Sequence, residues 1–196
     1  MKKRILLVSI ALVLVLVCLA ACGENNGTLN TLNKLLDVNY SKVIIKVNTK
    51  MSDVELNGEY VLTFDGDTTN VIFSYEELNE LGFEGNNSGF KRTVSGTAVV
   101  RDGVVISDNQ EADLNTAQLK FTGLSFKQAY FRKMTATSND FEADVVSPNG
   151  FLGNSQFKAT NMHVKVVYYS AAIVQIAITY LSEGGAEVSL TYNFSL

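Results

Sequence analysis

Residues 187–196, Glu187-Val188-Ser189-Leu190-Thr191-Tyr192-Asn193-Phe194-Ser195-Leu196, alternate polar and apolar side chains at every step. Successive side chains of a β-strand point to opposite faces, so Val188, Leu190, Tyr192, Phe194 and Leu196 share one face and the polar residues share the other. Such a strand belongs to an antiparallel sheet with one buried and one wet face. Two more strands precede it, Val164 to Tyr169 and Ile173 to Leu181, broken by Ser170-Ala171-Ala172 and Ser182-Glu183-Gly184-Gly185. Ile173 to Ile178 is apolar on both sides. That predicts a central strand covered by the core on one face and by a helix or loop on the other.

The same period of two recurs upstream. Val43, Ile45 and Val47 alternate with Lys46 and Asn48, and Leu56, Tyr60, Leu62 and Phe64 alternate with Glu55, Glu59 and Thr63. Asp65-Gly66-Asp67 then supplies a tight turn before Val71, Phe73 and Tyr75. Thr93 to Val100 returns to strand, and Arg101-Asp102-Gly103 forms a second hairpin turn into Val104-Val105-Ile106. Phe141, Ala143 and Val145 make a short strand that Ser147-Pro148-Asn149-Gly150 breaks with the only proline of the chain. Glu76 to Leu81 reads as a short helical turn leading into an exposed Gly/Asn-rich loop that ends at Gly89. Between Asn109 and Ala136 the pattern is weaker. Leu119, Phe121, Leu124 and Phe126 suggest a strand, and Lys127 to Met134 reads as one turn of helix or an irregular lid.

One segment has helical spacing: Leu29, Leu32, Leu35 and Leu36 form an apolar stripe, and Thr28 stands at the N-cap position. The expectation is therefore a mainly β (α+β) domain over residues 28–196, a curved antiparallel sheet of about 8–10 strands packed on an N-terminal helix. No internal repeat or second domain is visible.

The first residues follow a different logic. Lys2, Lys3 and Arg4 precede an apolar run from Ile5 to Cys22 whose only polar residue is Ser9, and the run ends in Leu19-Ala20-Ala21-Cys22. Charge, apolar core and small-residue end are the three parts of a secretory signal. An uncleaved membrane anchor also fits the length, but Ala-Ala-Cys followed by Gly23 has no reason to end one. Without residues 1–21 the chain keeps 13 basic and 20 acidic side chains, a net charge of −7. Both cysteines, Cys18 and Cys22, lie in this segment, so the domain has no disulfide framework and no Cys-based metal or redox site. Gly23-Glu24-Asn25-Asn26-Gly27 reads as a flexible tether, making 22–27 a linker between Cys22 and the domain.

Leu19-Ala20-Ala21-Cys22 resembles the lipobox of bacterial lipoproteins. The resemblance implies removal of residues 1–21, a diacylglyceryl thioether on Cys22, acylation of the freed amine with a fatty acid such as palmitate, and attachment to the extracytoplasmic face of the cell membrane. The element order resembles the half-barrel of the LolA and LppX type of lipoprotein fold, in which a curved sheet wraps around helices with room for an apolar cavity. Gly58 to Asp67, Ile178-Thr179-Tyr180 and Leu190 to Phe194 are similar to uncharacterised lipoproteins of low-GC Gram-positive bacteria. In a half-barrel that binds a lipid or other apolar ligand, Leu32, Leu35, Leu36, Phe121, Phe126 and Phe131 are the expected lining. The other reading is a recognition module that meets an envelope protein through its acidic face or its edge strands.

Residues for chemistry are few. His163, the only histidine, sits between Met162 and Val164 in a strand, and no GxSxG elbow presents a serine to it. Asp65 and Asp67 flank a turn, and Asp108, Glu111 and Asp113 form a second group, yet neither has the spacing of a calcium loop. Turn chemistry explains the first and solvation the second. No phosphate-cradling loop occurs. A net charge of −7 without a basic stripe excludes nucleic acid as a partner. No cofactor, metal or enzymatic activity is expected.

Overall fold

The computed structural model describes residues 26–78, 91–112, 114 and 123–196. The signal segment, Cys22, Phe121 and Asp113 lie outside them. A helix, α1, covers residues 26–36. Five strands follow: β1 (Lys42–Met51), β2 (Val54–Asp65), β3 (Thr68–Leu78), β4 (Lys91–Arg101) and β5 (Val104–Ser107). A 3₁₀ turn at Gln128–Tyr130 leads into β6 (Phe131–Ala136) and β7 (Asp140–Val145), and a short helix α2 (Pro148–Leu152) precedes β8 (Ala159–Tyr168), β9 (Ile173–Ser182) and β10 (Glu187–Ser195).

All ten strands form one antiparallel sheet in the order β5-β4-β3-β2-β1-β10-β9-β8-β7-β6. Two five-strand meanders meet where β1 pairs with β10, from Lys42 opposite Ser195 to Lys50 opposite Glu187. β5 and β6 are the two edges, so the sheet is an open half-barrel rather than a closed barrel. Cross-strand rows organise its inner face. One runs Phe73, Tyr60, Ile45, Tyr192, Ile176, Val166, Phe141 through seven strands. Neighbours in such a row touch directly, and the register places all seven residues in the buried core.

The leucine stripe of α1 belongs to this core: Leu29, Leu32 and Leu35 are buried and Leu36 is half-buried. Two polar groups fix the helix in place. The Tyr40 hydroxyl donates to the Leu35 carbonyl at 2.7 Å and accepts the Ile173 N–H at 2.9 Å. The Asn33 side chain donates to the Phe126 carbonyl at 2.8 Å and accepts the Phe126 N–H at 2.9 Å. Asn33 thus bonds both backbone groups of Phe126, which lies outside any strand. With the Ser125 N–H donating to the Phe151 carbonyl at 2.9 Å, the segment around Phe126 becomes a strap across the inner face.

Several expectations are corrected in detail. Of Lys127 to Met134, the expected helical turn is limited to the 3₁₀ turn Gln128–Tyr130, and Phe131–Ala136 is an edge strand. Its alternation is hidden by a bulge between Arg132 and Thr135, where Lys133 takes φ 50°. Leu124 and Phe126 belong to the strap and not to a strand. Glu76, Glu77 and Leu78 continue β3, because they face Thr93, Arg92 and Lys91 and form opposite-charge pairs. Pro148 opens α2 at its first turn, where its missing N–H costs nothing. On β9, Val174 is exposed, so no cover lies over the outer side of that residue. Leu196, one residue past β10, is exposed and does not join the inner face.

Candidate functional site

The inner face is filled in one region and open in another. Where β6, β7, the strap and α2 meet, Phe126, Phe131, Phe141 and Phe151 form a cluster with ring centroids 5.3–5.9 Å apart. Five of the six expected lining residues lie in the packed interior: Leu32, Leu35, Phe126 and Phe131 are buried, and Leu36 packs against them. None of the five is among the described residues that line the cavity of about 750 Å³ beside this cluster. Phe121 lies outside the described residues.

That cavity, about 750 Å³, is in the range typical of small-molecule sites. Its floor is the inner face of four adjacent strands, with Val47 from β1, Tyr60 from β2, Tyr180 from β9 and Val188, Leu190 and Tyr192 from β10. Its roof is Gly123-Leu124 and the segment Leu152 to Phe157. Phe157 meets Tyr180 edge to face at 5.2 Å. Two glycines let the roof segments touch: a Cβ on Gly153 would stand 2.5 Å from the Gly123 carbonyl oxygen, and Gly153 caps α2 at φ 63°. Among the described residues that line it, none is charged.

The three tyrosines are acids held in their neutral form. Burial pushes the Tyr60 phenol up to about 12 from 10.0, with nearby Tyr75 adding to the rise. Burial, then nearby Tyr180, raises Tyr192, and burial raises Tyr180. A raised folded pKa stabilises the fold fully below the unfolded value, and that contribution is lost as pH climbs through the folded value. Stability is therefore expected to fall between pH 10.0 and about 12, and Tyr60→Phe should move the alkaline midpoint upward. A circular-dichroism titration of both proteins measures this; coincident midpoints would contradict it.

Among the described residues, the outer face carries two polar hollows. The larger, about 620 Å³, lies over Lys46, Asn48, Asn57, Glu59 and Glu76. There Lys46 pairs with Glu59 at 3.3 Å, Asn48 donates to Asn57 at 2.9 Å, and the Asn57 N–H donates to Glu76 at 2.8 Å. His163 lies on the outer side of β8, with Nδ1 3.2 Å from Asp144 and Nε2 3.0 Å from Glu142. Both ring nitrogens face carboxylates, and neither is presented to a serine or threonine. The hydrogen bond from His163, then the one from Lys133, holds the Asp144 carboxyl below its usual range. Asp108 is not merely solvated: it accepts the Thr97 N–H at 2.7 Å and the Thr97 hydroxyl at 2.9 Å, which lowers its pKa. Glu111 pairs with Arg92 at 3.1 Å. No group of three metal-ligating side chains occurs among the described residues.

No family model matches the sequence. No curated protein matches it either. Among solved structures, the LolA superfamily protein NE2245 of Nitrosomonas europaea aligns over 87% of this chain and 92% of its own, at 8% identity and a TM-score of 0.33. An N-terminal dehydratase from the difficidin assembly line aligns over 79% of this chain and 77% of its own, at 8% identity and a TM-score of 0.16. Likenesses this slight carry no inference about function.

Tyr60, Tyr180, Tyr192 and Leu190 line the cavity without standing out in the sequence as lining. Aromatic and aliphatic residues at strand spacing read as core, and three of these four sit on a row or rung that is core elsewhere. The missing signal is spatial: among the described residues, the roof segments stand off this patch and leave the cavity.

Proposed function

We propose that the protein is a non-enzymatic, extracytoplasmic lipoprotein, anchored in the cell membrane by acyl chains on Cys22, which binds a lipid or other apolar ligand on the inner face of its half-barrel. The observation that supports ligand binding is the 750 Å³ cavity between sheet and roof, with its apolar floor and no charged residue among the described lining. Burying a ligand against Val47, Leu190 and Phe157 gains about 25 cal/mol for each Å² of apolar surface removed from water. Polar uncharged residues, Asn154, Ser155 and Gln156, complete the lining, and Ser155 and Gln156 are exposed at its rim.

The test is extraction of the purified full-length protein and mass spectrometry of what leaves with the solvent. A stoichiometric apolar molecule is expected from the wild type and less of it from Leu190→Trp, whose larger side chain takes up part of the cavity floor. An empty extract from wild-type protein that also takes up no added lipid would overturn the reading.

A further inference from the structure

The cavity has a polar pole that its apolar floor does not explain. Tyr192 is 4% exposed and Tyr60 7% exposed, and both line the cavity. No hydrogen bond to either hydroxyl forms among the described residues, whereas the buried Tyr40 hydroxyl makes two. Yet no fully enclosed side-chain polar atom there lacks a partner. Both phenol oxygens must therefore reach the open space of the cavity. They come from one cross-strand row, where Tyr60 and Tyr192 flank Ile45 on either side. The register thus aims two donors at one region of the floor.

We propose that the cavity selects an uncharged amphiphile that offers a hydrogen-bond acceptor, a carbonyl, ester or ether oxygen, to the hydroxyls of Tyr60 and Tyr192. The inference rests on the ligand-binding reading and adds the ligand's chemical class. A buried phenol left without a partner costs free energy that an acceptor on the ligand recovers. A phenol is protonated at neutral pH, so both hydroxyls can donate. A carboxylate or phosphate would lose its hydration shell against a lining that holds no Lys, Arg or His among the described residues. A pure hydrocarbon would leave the two hydroxyls unpaired. The neutral ester lies between these extremes and satisfies both constraints.

The experiment places the full-length chain in phospholipid vesicles with one of three diazirine probes of equal chain length: a hydrocarbon, a methyl ester and a free carboxylate. Labelling of the peptides that carry Val47 and Leu190 is normalised to labelling of bulk lipid. The ester is expected to label them about tenfold more than either other probe, as one hydrogen bond made or lost in a dry site implies. Tyr192→Phe and Tyr60→Phe should each lower ester labelling severalfold and leave hydrocarbon labelling unchanged. Phenylalanine keeps the ring, and unchanged circular dichroism confirms that each variant folds. Equal labelling by all three probes, or ester labelling indifferent to both variants, overturns the acceptor inference and leaves ligand binding standing. No labelling of these peptides by any probe overturns both.

Discussion

Phe126→Ala is expected to lower the unfolding free energy by about 4 kcal/mol, the scale of a large aromatic removed from a rigid core. Phe126 is 1% exposed and its ring meets Phe131, Phe141 and Phe151 at centroid distances of 5.9, 5.9 and 5.5 Å. The three partners are held by different elements: β6, β7 and α2. None of them can collapse into the space without moving a strand or a helix, so most of the hole remains. Its backbone is also the half of the strap that Asn33 bonds, which joins the packing loss to the docking of α1. Against a total stability of roughly 5–15 kcal/mol, such a loss is expected to lower Tm by about 8–16 °C. Ile106→Ala is the control: 65% exposed on the edge strand β5, it should change stability by less than about 0.5 kcal/mol. Thermal melts of both variants measure the pair, and equal shifts would contradict the role given to Phe126.

What could be read from the sequence was the part carried by local alternation. β10 is legible because one face is buried and the other wet, so its side chains record the pleat. β6 is not, because the bulge at Lys133 shifts the phase after two residues. The leucine stripe identifies α1, yet nothing nearby shows what Asn33 does, since its partner lies 93 residues along the chain. Glu76 and Glu77 look like the start of a helix until β4 places Arg92 opposite Glu77 and Lys91 diagonally across from Glu76. The same limit governs the cavity. A tyrosine in the core and a tyrosine facing a void have the same sequence context, and only the missing hydrogen bond separates Tyr192 from Tyr40.

Ligand class and membrane attachment are linked through the distance between them. Cys22 stands four residues before residue 26, the first described residue of α1, a reach of at most about 15 Å along the chain. An anchor at Cys22 would therefore hold the half-barrel close to the bilayer, the reservoir from which a poorly soluble neutral ester has to come. Soluble carriage of such a ligand without an anchor would be limited by its concentration in water.

Cys22→Ala is accordingly expected to abolish incorporation of labelled palmitate altogether, while Cys18→Ala leaves it unchanged. The thiol is the only acceptor that the Leu19-Ala20-Ala21-Cys22 motif provides, so loss of this one atom removes the first acylation and, with it, the processing that depends on it. Intact mass gives the second readout. Wild-type protein should begin at an acylated Cys22, and the alanine variant should keep residues 1–21. At roughly 0.8 kcal/mol per buried CH₂, two or more acyl chains hold a protein at a membrane far more firmly than one. The wild type should thus resist extraction from the membrane by high salt and by carbonate. The variant keeps only the apolar run from Ile5, so attachment and acylation can be scored separately. A wild-type mass that begins at Met1, or palmitate labelling that survives in Cys22→Ala, would contradict the lipoprotein reading while leaving the cavity and its phenols unaffected.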